Sequence, residues 1–219
     1  MNSGELLLWA RGPGLMLALA ILGFGILLRL FEIFSLGRKA DLSPARTDSP
    51  GSGWRTVLTR SLPPPGMLAR APVTYYGGYV FHIGLFVTVF LYIPHIELLR
   101  SLLGISWPGL PTPMVDAVAV ATLAAMLAVL ASRIHDPVKR LLSTLQDYLV
   151  WLLTFLPLAT GYLAFHHMLL DYTWMLALHL LAAELLLALI PFTKLFHVVS
   201  IFISRWYTGS LFGRKGVAA

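Results

Sequence analysis

Residues 114–132 read MVDAVAVATLAAMLAVLAS and contain a single charged side chain, that of Asp116. The hydrocarbon core of a bilayer is about 30 Å thick and is crossed by about 20 helical residues, so this stretch predicts a membrane-spanning helix. Backbone polar groups in lipid must hydrogen-bond to one another, and a helix achieves this within one segment. The stretch therefore indicates an α-helical integral membrane protein.

Four further apolar runs flank this stretch, and they cover about 14–34, 75–99, 148–165 and 174–204. Of the 219 residues, 58% are hydrophobic and only 12% are charged, whereas about 25% are charged in a soluble domain. We expect the first run to be retained rather than cleaved as a signal peptide, because no small-x-small site follows it. The sequence predicts an all-α, five-helix membrane bundle that forms one domain over 1–219.

The basic residues are concentrated on one side of the predicted bundle. Twelve of them lie in the connection 36–74, in the connection after the third helix and in the C-terminal tail: Arg38, Lys39, Arg46, Arg55, Arg60, Arg70, Arg133, Lys139, Arg140, Arg205, Arg214 and Lys215. The opposite side has Arg11 and Arg100. Because loops on the cytoplasmic side are rich in lysine and arginine, we predict an outside N-terminus and a cytoplasmic C-terminus in a bacterial inner membrane.

The same charge distribution bears on the partners of the protein. Basic residues confined between apolar runs are typical of membrane topology rather than of nucleic-acid binding, so we expect a lipid bilayer and no nucleic acid. The 36–74 connection, with its Pro63-Pro64-Pro65 run, is predicted to be an irregular cytoplasmic loop. The chain has no cysteine, which excludes disulfides, thiolate-bound zinc and an iron–sulfur cluster of its own.

Histidines at two depths are the main functional signal. The second and fifth helices each place one histidine near the basic side, His82 and His197, and one toward the opposite side, His95 and His179. The other three histidines lie outside these helices: His135, His166 and His167. Ionisable side chains are costly in a membrane and usually mark function. A single histidine can serve as an interhelical hydrogen-bond partner, but two matched pairs predict two binding sites.

The spacing of these histidines favours one pair over the other. His179 and His197 are eighteen residues apart, which is five turns and about 27 Å of rise in a continuous helix. His82 and His95 are thirteen residues apart, which is not a whole number of turns, although Pro94 can kink the helix and change the phase. The pair His82–His197 is therefore the more direct prediction, and His166 or His167 is an alternative to His95 as the partner of His179.

Two imidazoles supplied by two helices suit the iron of a six-coordinate haem in an apolar slot. The absence of a Cys-x-x-Cys-His motif indicates non-covalent, b-type haem. A diiron oxygenase would need its ligands at one depth, which this pattern does not provide. Two alternatives stay open at this point: a haem-binding membrane protein without quinone activity, and a histidine-containing transporter, for which the internal repeat typical of such proteins is not seen.

Two stretches carry a resemblance to a known family. The second helix opens with Phe81-His82-Ile83-Gly84, and the fifth contains His179 and the string Ile190-Pro191-Phe192-Thr193-Lys194-Leu195-Phe196-His197. Over helices two to five the chain resembles the cytochrome b (gamma) subunit of membrane-bound respiratory nitrate reductase. The resemblance implies that His82 and His197 ligate a cytoplasmic-side haem and that His179 serves an outer haem.

The chain departs from that family at the second outer ligand. The family's position is occupied by Tyr92, and His95 follows three residues later. In this respect, and in the loop Trp107-Pro108-Gly109-Leu110-Pro111, the sequence is more similar to related cytochrome b subunits of sulfur-cycle complexes with heterodisulfide-reductase-like partners.

The resemblance implies an electron-transfer subunit of a quinone-linked oxidoreductase complex. Two b-type haems would connect menaquinone or ubiquinone with a cytoplasmic iron–sulfur subunit, in either direction, and no residue of this chain is expected to be catalytic. Candidates for the outer quinone site are Arg100, His166, His167, Asp171 and Tyr172. Glu184 is a candidate proton relay or interhelical hydrogen-bond partner, and Arg29 and Lys194 either neutralise haem propionates or extend to the membrane surface.

Overall fold

The computed structural model describes residues 2–37, 41–47, 49–64 and 66–217. Three residues named above, Arg38, Lys39 and Pro65, lie outside the described residues. Within these ranges every regular element is helical, as the sequence predicts.

Ten helices follow one another along the described chain. The first half contains α1 (Ser3–Ser35), α2 (Ser52–Thr59), α3 (Met67–Arg70), α4 (Pro72–Phe90) and α5 (Ile93–Leu103). The second half contains α6 (Thr112–His135), α7 (Pro137–Leu142), α8 (Leu145–Phe165), α9 (Tyr172–Leu189) and α10 (His197–Arg214). Within the described part of the chain, five segments are long and apolar enough to span a membrane: α1, α4, α6, α8 and the segment Tyr172–Phe192 that begins with α9. The predicted number of membrane helices is confirmed.

Helix α1 begins eleven residues earlier than the predicted position 14. A capping box starts it: the Asn2 side chain accepts a hydrogen bond from the Glu5 amide, and the Glu5 carboxylate accepts one from the Asn2 amide, both at 2.8 Å. Pro13 then falls inside a π-helical turn, Ala10–Gly14, because proline has no N–H to continue the α-helical ladder.

The predicted helix over 75–99 is two helices, α4 and α5, separated at Leu91 and Tyr92. Pro94 has no N–H, so the Phe90 carbonyl loses its helical donor. The Trp107 indole N–H donates to the Phe90 carbonyl instead, at 2.6 Å, and the Leu110 amide donates to the Leu91 carbonyl at 2.9 Å. The 107–111 loop therefore satisfies the backbone groups that the break exposes.

The predicted helix over 174–204 is also interrupted. Helix α9 ends at Leu189, two short 3₁₀ turns follow (Ile190–Phe192 and Lys194–Phe196), and α10 continues to Arg214. Pro191 lies in the first turn and is buried against α1 at Gly25, where a Cβ atom would come within 2.6 Å of the proline ring. The straight 27 Å rise expected between His179 and His197 on the assumption of a continuous helix therefore does not apply.

The membrane helices pack in a row. Helix α6 lies between α4 and α8, and α9 lies between α8 and α1. Gly84 of α4 approaches α6 so closely that a Cβ atom there would overlap the hydroxyl of Thr122, as expected where small residues permit close helix contact in membranes. Among the described residues α4 has no extensive packing contact with α9 or α10.

The 36–74 connection differs from the irregular loop expected, because it contains α2, which packs along α10. Glycines make this contact: a Cβ atom on Gly53 would lie 2.7 Å from Trp206, and one on Gly209 would lie 2.5 Å from Thr56. The Thr47 hydroxyl also donates to the Gly213 carbonyl at 2.7 Å. We call the end of the bundle formed by α2, α3, α7 and α10 the basic face.

Candidate functional site

His82 and His197 face each other near the basic face. His82 lies in α4 and His197 is the first residue of α10. The centroids of the two imidazole rings are 6.3 Å apart, and the ring planes cross at 75°. The two histidines predicted as the inner pair are thus neighbours in the structure.

His95 and His179 form a second facing pair toward the opposite end of the bundle. Their ring centroids are 6.0 Å apart, and the ring planes are nearly parallel, at 15°. The break after α4 accounts for this position of His95: the Thr88 carbonyl, which has no helical donor at Tyr92, accepts a hydrogen bond from the His95 ring at 2.7 Å. Gly161 of α8 leaves room for His179, since a Cβ atom there would lie 3.0 Å from the imidazole ring.

All four histidines have the same hydrogen-bond pattern. In each ring Nδ1 lies 2.7 to 2.9 Å from a backbone carbonyl oxygen, the partners being Gly78 for His82, Thr88 for His95, Pro157 for His179 and Lys194 for His197. A carbonyl only accepts, so each Nδ1 carries a hydrogen, and in the neutral imidazole the lone pair then lies on Nε2. Within the described ranges no hydrogen bond involves any of the four Nε2 atoms.

The distance between the rings in each pair is the distance expected for two imidazoles that bind one metal ion. A metal ion bonds imidazole nitrogen at about 2 Å, so two imidazoles on opposite sides of one ion have ring centroids about 6 Å apart. Histidines that ligate metals usually donate their other ring N–H to a carbonyl or carboxylate. Both pairs have this spacing and this outer hydrogen bond, and the donor set fits a metal that takes two axial imidazoles.

The other three histidines lie elsewhere. His166 Nε2 is 2.7 Å from a carboxylate oxygen of Asp116, which links the ends of α8 and α6. The His167 ring stacks on Tyr172, with 5.0 Å between centroids. His135 is the last residue of α6. The structure therefore brings His95, and neither His166 nor His167, into a facing pair with His179.

The cations proposed as neighbours of a haem or a quinone already have acidic partners. The Lys194 ammonium lies 2.8 Å from a carboxylate oxygen of Asp147, and Arg29 is 2.8 Å from Glu32. Arg100 lies 3.6 Å from Glu97. These contacts favour surface ion pairs as the role of all three residues.

Glu184 lies in α9 against α1 and is only 7% exposed. A Cβ atom on Gly14, at the end of the π-helical turn, would lie 2.7 Å from Glu184 Oε2. In the described part of the chain Oε1 has no hydrogen-bond partner. The glutamate is therefore enclosed by the first and fifth membrane segments.

A cavity on the basic face was not predicted. It has a volume of about 470 Å³ and is lined by Thr56, Arg60, Leu62, Pro63, Pro64, Tyr75, Tyr79, Ser204, Arg205 and Thr208. These residues come from α2, the segment after it, α4 and α10, so no local sequence motif indicates the cavity.

Comparison with known proteins gives one relative and no family. The chain is 35% identical over 132 residues to a curated protein of Nitratidesulfovibrio vulgaris (strain Hildenborough) that bears only the name "Protein". The aligned part is 60% of this chain and spans 58% of the relative, less than two thirds of its length. No family model matches the chain, and no solved structure matches it.

Proposed function

We propose that this protein is a dihaem cytochrome b of a bacterial inner membrane. His82 and His197 are the axial ligands of one b-type haem, and His95 and His179 are those of the second. The observation that carries the proposal is the pair of facing imidazoles at each depth, with ring centroids 6.3 and 6.0 Å apart.

Three features of the chain support haem as the cofactor. Each pair offers two neutral imidazole nitrogens, which complete the coordination of an iron already held by four porphyrin nitrogens. The Nδ1–H of each ligand is fixed by a backbone carbonyl, which sets the tautomer and the orientation of the ring. The helices that bear the facing histidines have no extensive packing contact with each other in the described part of the chain, so a haem between the rings would not have to displace a helix–helix interface. When bound, haem supplies one-electron chemistry through its iron.

An iron–sulfur subunit on the cytoplasmic side is the proposed electron partner. The excess of lysine and arginine on the basic face favours a cytoplasmic position for it and an outside N-terminus. Trp54 and Leu58 of α2 are 66% and 72% exposed, and Leu141 of α7 is 84% exposed, which gives this face apolar side chains suited to a protein contact. The chain has no cysteine with which to hold a cluster itself.

Menaquinone or ubiquinone is the proposed partner near the outer pair. The imidazole of His166, held by the Asp116 carboxylate at 2.7 Å, is suited to accept a proton from a quinol hydroxyl or to return one to a quinone. The Tyr92 ring lies between His95 and Phe165, at 5.1 and 6.3 Å between centroids, and offers an aromatic surface beside the outer ligand. These residues are proposed to bind and orient the quinone and to exchange its proton, while the electrons pass through the haems.

The proposed family rests on the resemblance in the fifth membrane segment and on His95. We place the chain among the cytochrome b subunits related to that of nitrate reductase. The outer histidine three residues after Tyr92 favours the branch with heterodisulfide-reductase-like partners.

Haem content tests the proposal. The purified protein, expressed with adequate haem supply, is expected to give about two haems per chain in a pyridine haemochrome assay. This number follows from one pair of axial histidines per haem. A value of zero contradicts the proposal, and a value of one contradicts the assignment of one of the two pairs.

A further inference from the structure

The cavity on the basic face lies directly beyond the inner histidine pair. Tyr75 precedes His82 by seven residues in α4, and Ser204 follows His197 by seven residues in α10. Seven residues are about two helical turns, so each cavity residue lies on the same side of its helix as the histidine and about 10 Å from it along the axis. Because α4 and α10 both lead from their histidine toward the cavity, the cavity lies about two helical turns from the two rings.

Two arginines give the cavity a positive charge. Arg60 follows α2, and Arg205 lies in α10; both line the cavity. Within the described ranges neither has an acidic partner, in contrast to Lys194 and Arg29. The side chain of Arg205 is instead held at the wall, where its Nη1 donates to the Ser61 hydroxyl at 3.0 Å. Two unpaired guanidinium groups favour a ligand with carboxylate or phosphate oxygens.

The walls of the cavity are fixed by hydrogen bonds between separate elements. The Tyr79 hydroxyl donates to the Ser61 carbonyl at 2.9 Å, which ties the segment after α2 to α4. Arg205 reaches the hydroxyl of the same serine from α10. Ser61 thus joins the two helices that carry His82 and His197, and the hydroxyl of Tyr75 adds a further donor to the lining.

We propose that this cavity receives the propionate carboxylates of the inner haem, with Arg60 and Arg205 as their counter-charges. The inference rests on the proposed function, since it needs a haem between His82 and His197. The propionates extend from one edge of a porphyrin, and two helical turns match the distance from a central iron to those carboxylates. Arg60 and Arg205 therefore take the role that the sequence had suggested for Arg29 and Lys194.

The midpoint potential of the inner haem tests this inference. Reduction adds an electron, which neighbouring positive charge favours, so Arg60→Gln and Arg205→Gln are each expected to lower the potential of the inner haem. The potential of the outer haem should not change, and the haem content should stay at the wild-type value. Arg205→Lys, which keeps the charge, should leave the potential of the inner haem close to the wild-type value. Potentiometric titration followed by optical spectroscopy resolves the two haems.

Arg55→Gln is the matched control, because Arg55 belongs to α2, is exposed and does not line the cavity. If the cavity variants bind two haems and give the same inner potential as Arg55→Gln, the inference is wrong while the proposed function stands. If they instead lose co-purified anionic phospholipid with both potentials unchanged, the cavity binds a lipid phosphate and the inference is also wrong. A wild-type protein without haem would contradict the proposed function itself.

Discussion

Replacing His197 with alanine is expected to remove one haem of the two and to lower electron transfer from quinol to a cytoplasmic acceptor by more than about 100-fold. Removing the hydrogen-bond partner of a metal ligand lowers metal affinity or activity about 10–100-fold, and removing the ligand itself has a larger effect. His82 would be left with no second imidazole, since His197 is the residue that faces it at 6.3 Å. Haem content and quinol-driven reduction of an artificial acceptor measure the two effects.

His135→Ala is the control for this variant. His135 ends α6 and belongs to neither facing pair, so the variant should keep both haems and the wild-type rate. A His197→Ala protein that retains two low-spin haems would contradict the inner assignment. His82→Ala should reproduce the loss, because both residues serve the same iron.

Replacing His95 with alanine is expected to remove the outer haem alone and to abolish quinol oxidation by the remaining protein. The His95 and His179 rings, whose planes are 15° apart, are the sole facing pair toward that end among the described residues. The spectrum of the inner haem should be unchanged, because His82 and His197 belong to α4 and α10, whereas His95 belongs to α5. Optical difference spectra of the reduced and oxidised protein report this result.

His166→Ala and His167→Ala test the competing assignment. His166 is bound to Asp116 and His167 stacks on Tyr172, so both variants should retain two haems. His166→Ala should still slow quinol oxidation, since it removes the proposed proton acceptor. If His95→Ala keeps both haems and either of these variants loses one, the outer ligand has been assigned to the wrong histidine.

The class of fold and the number of membrane helices could be predicted from hydropathy because lipid imposes one length and one structure on each apolar run. The positions at which the helices begin and end could not be predicted from hydropathy. Helix α1 extends to Ser3 through a capping box that apolar periodicity does not reveal, although Asn2 followed by Glu5 three residues later is its sequence signal. Helix α2 was missed because its contact with α10 depends on glycines distant in sequence, such as Gly53 and Gly209.

The sequence grouped the four histidines by depth, and the structure brings the members of each group within 6.0 and 6.3 Å of each other, but this geometry depends on two helix breaks. Pro94 suggested a kink, yet the hydrogen bond from His95 to the Thr88 carbonyl depends on where the helix ends. His197 begins a new helix rather than continuing α9, so the five-turn spacing counted from His179 assumed a continuous helix that the structure does not have. The role of Trp107 in satisfying the Phe90 carbonyl could not be predicted, because the two residues are seventeen positions apart.

The electron paramagnetic resonance spectrum of the oxidised protein tests the central claim most directly. In a ferric haem with two imidazole ligands, parallel imidazole planes separate the energies of two iron d orbitals and give a rhombic low-spin signal. Perpendicular planes leave these two orbitals nearly equal in energy and give a highly anisotropic low-spin signal. The plane angles of 15° and 75° therefore predict two low-spin ferric signals, one rhombic from His95–His179 and one highly anisotropic from His82–His197. His95→Ala should lose the first and His197→Ala the second. A protein without a low-spin ferric signal, or with high-spin iron alone, would contradict the account.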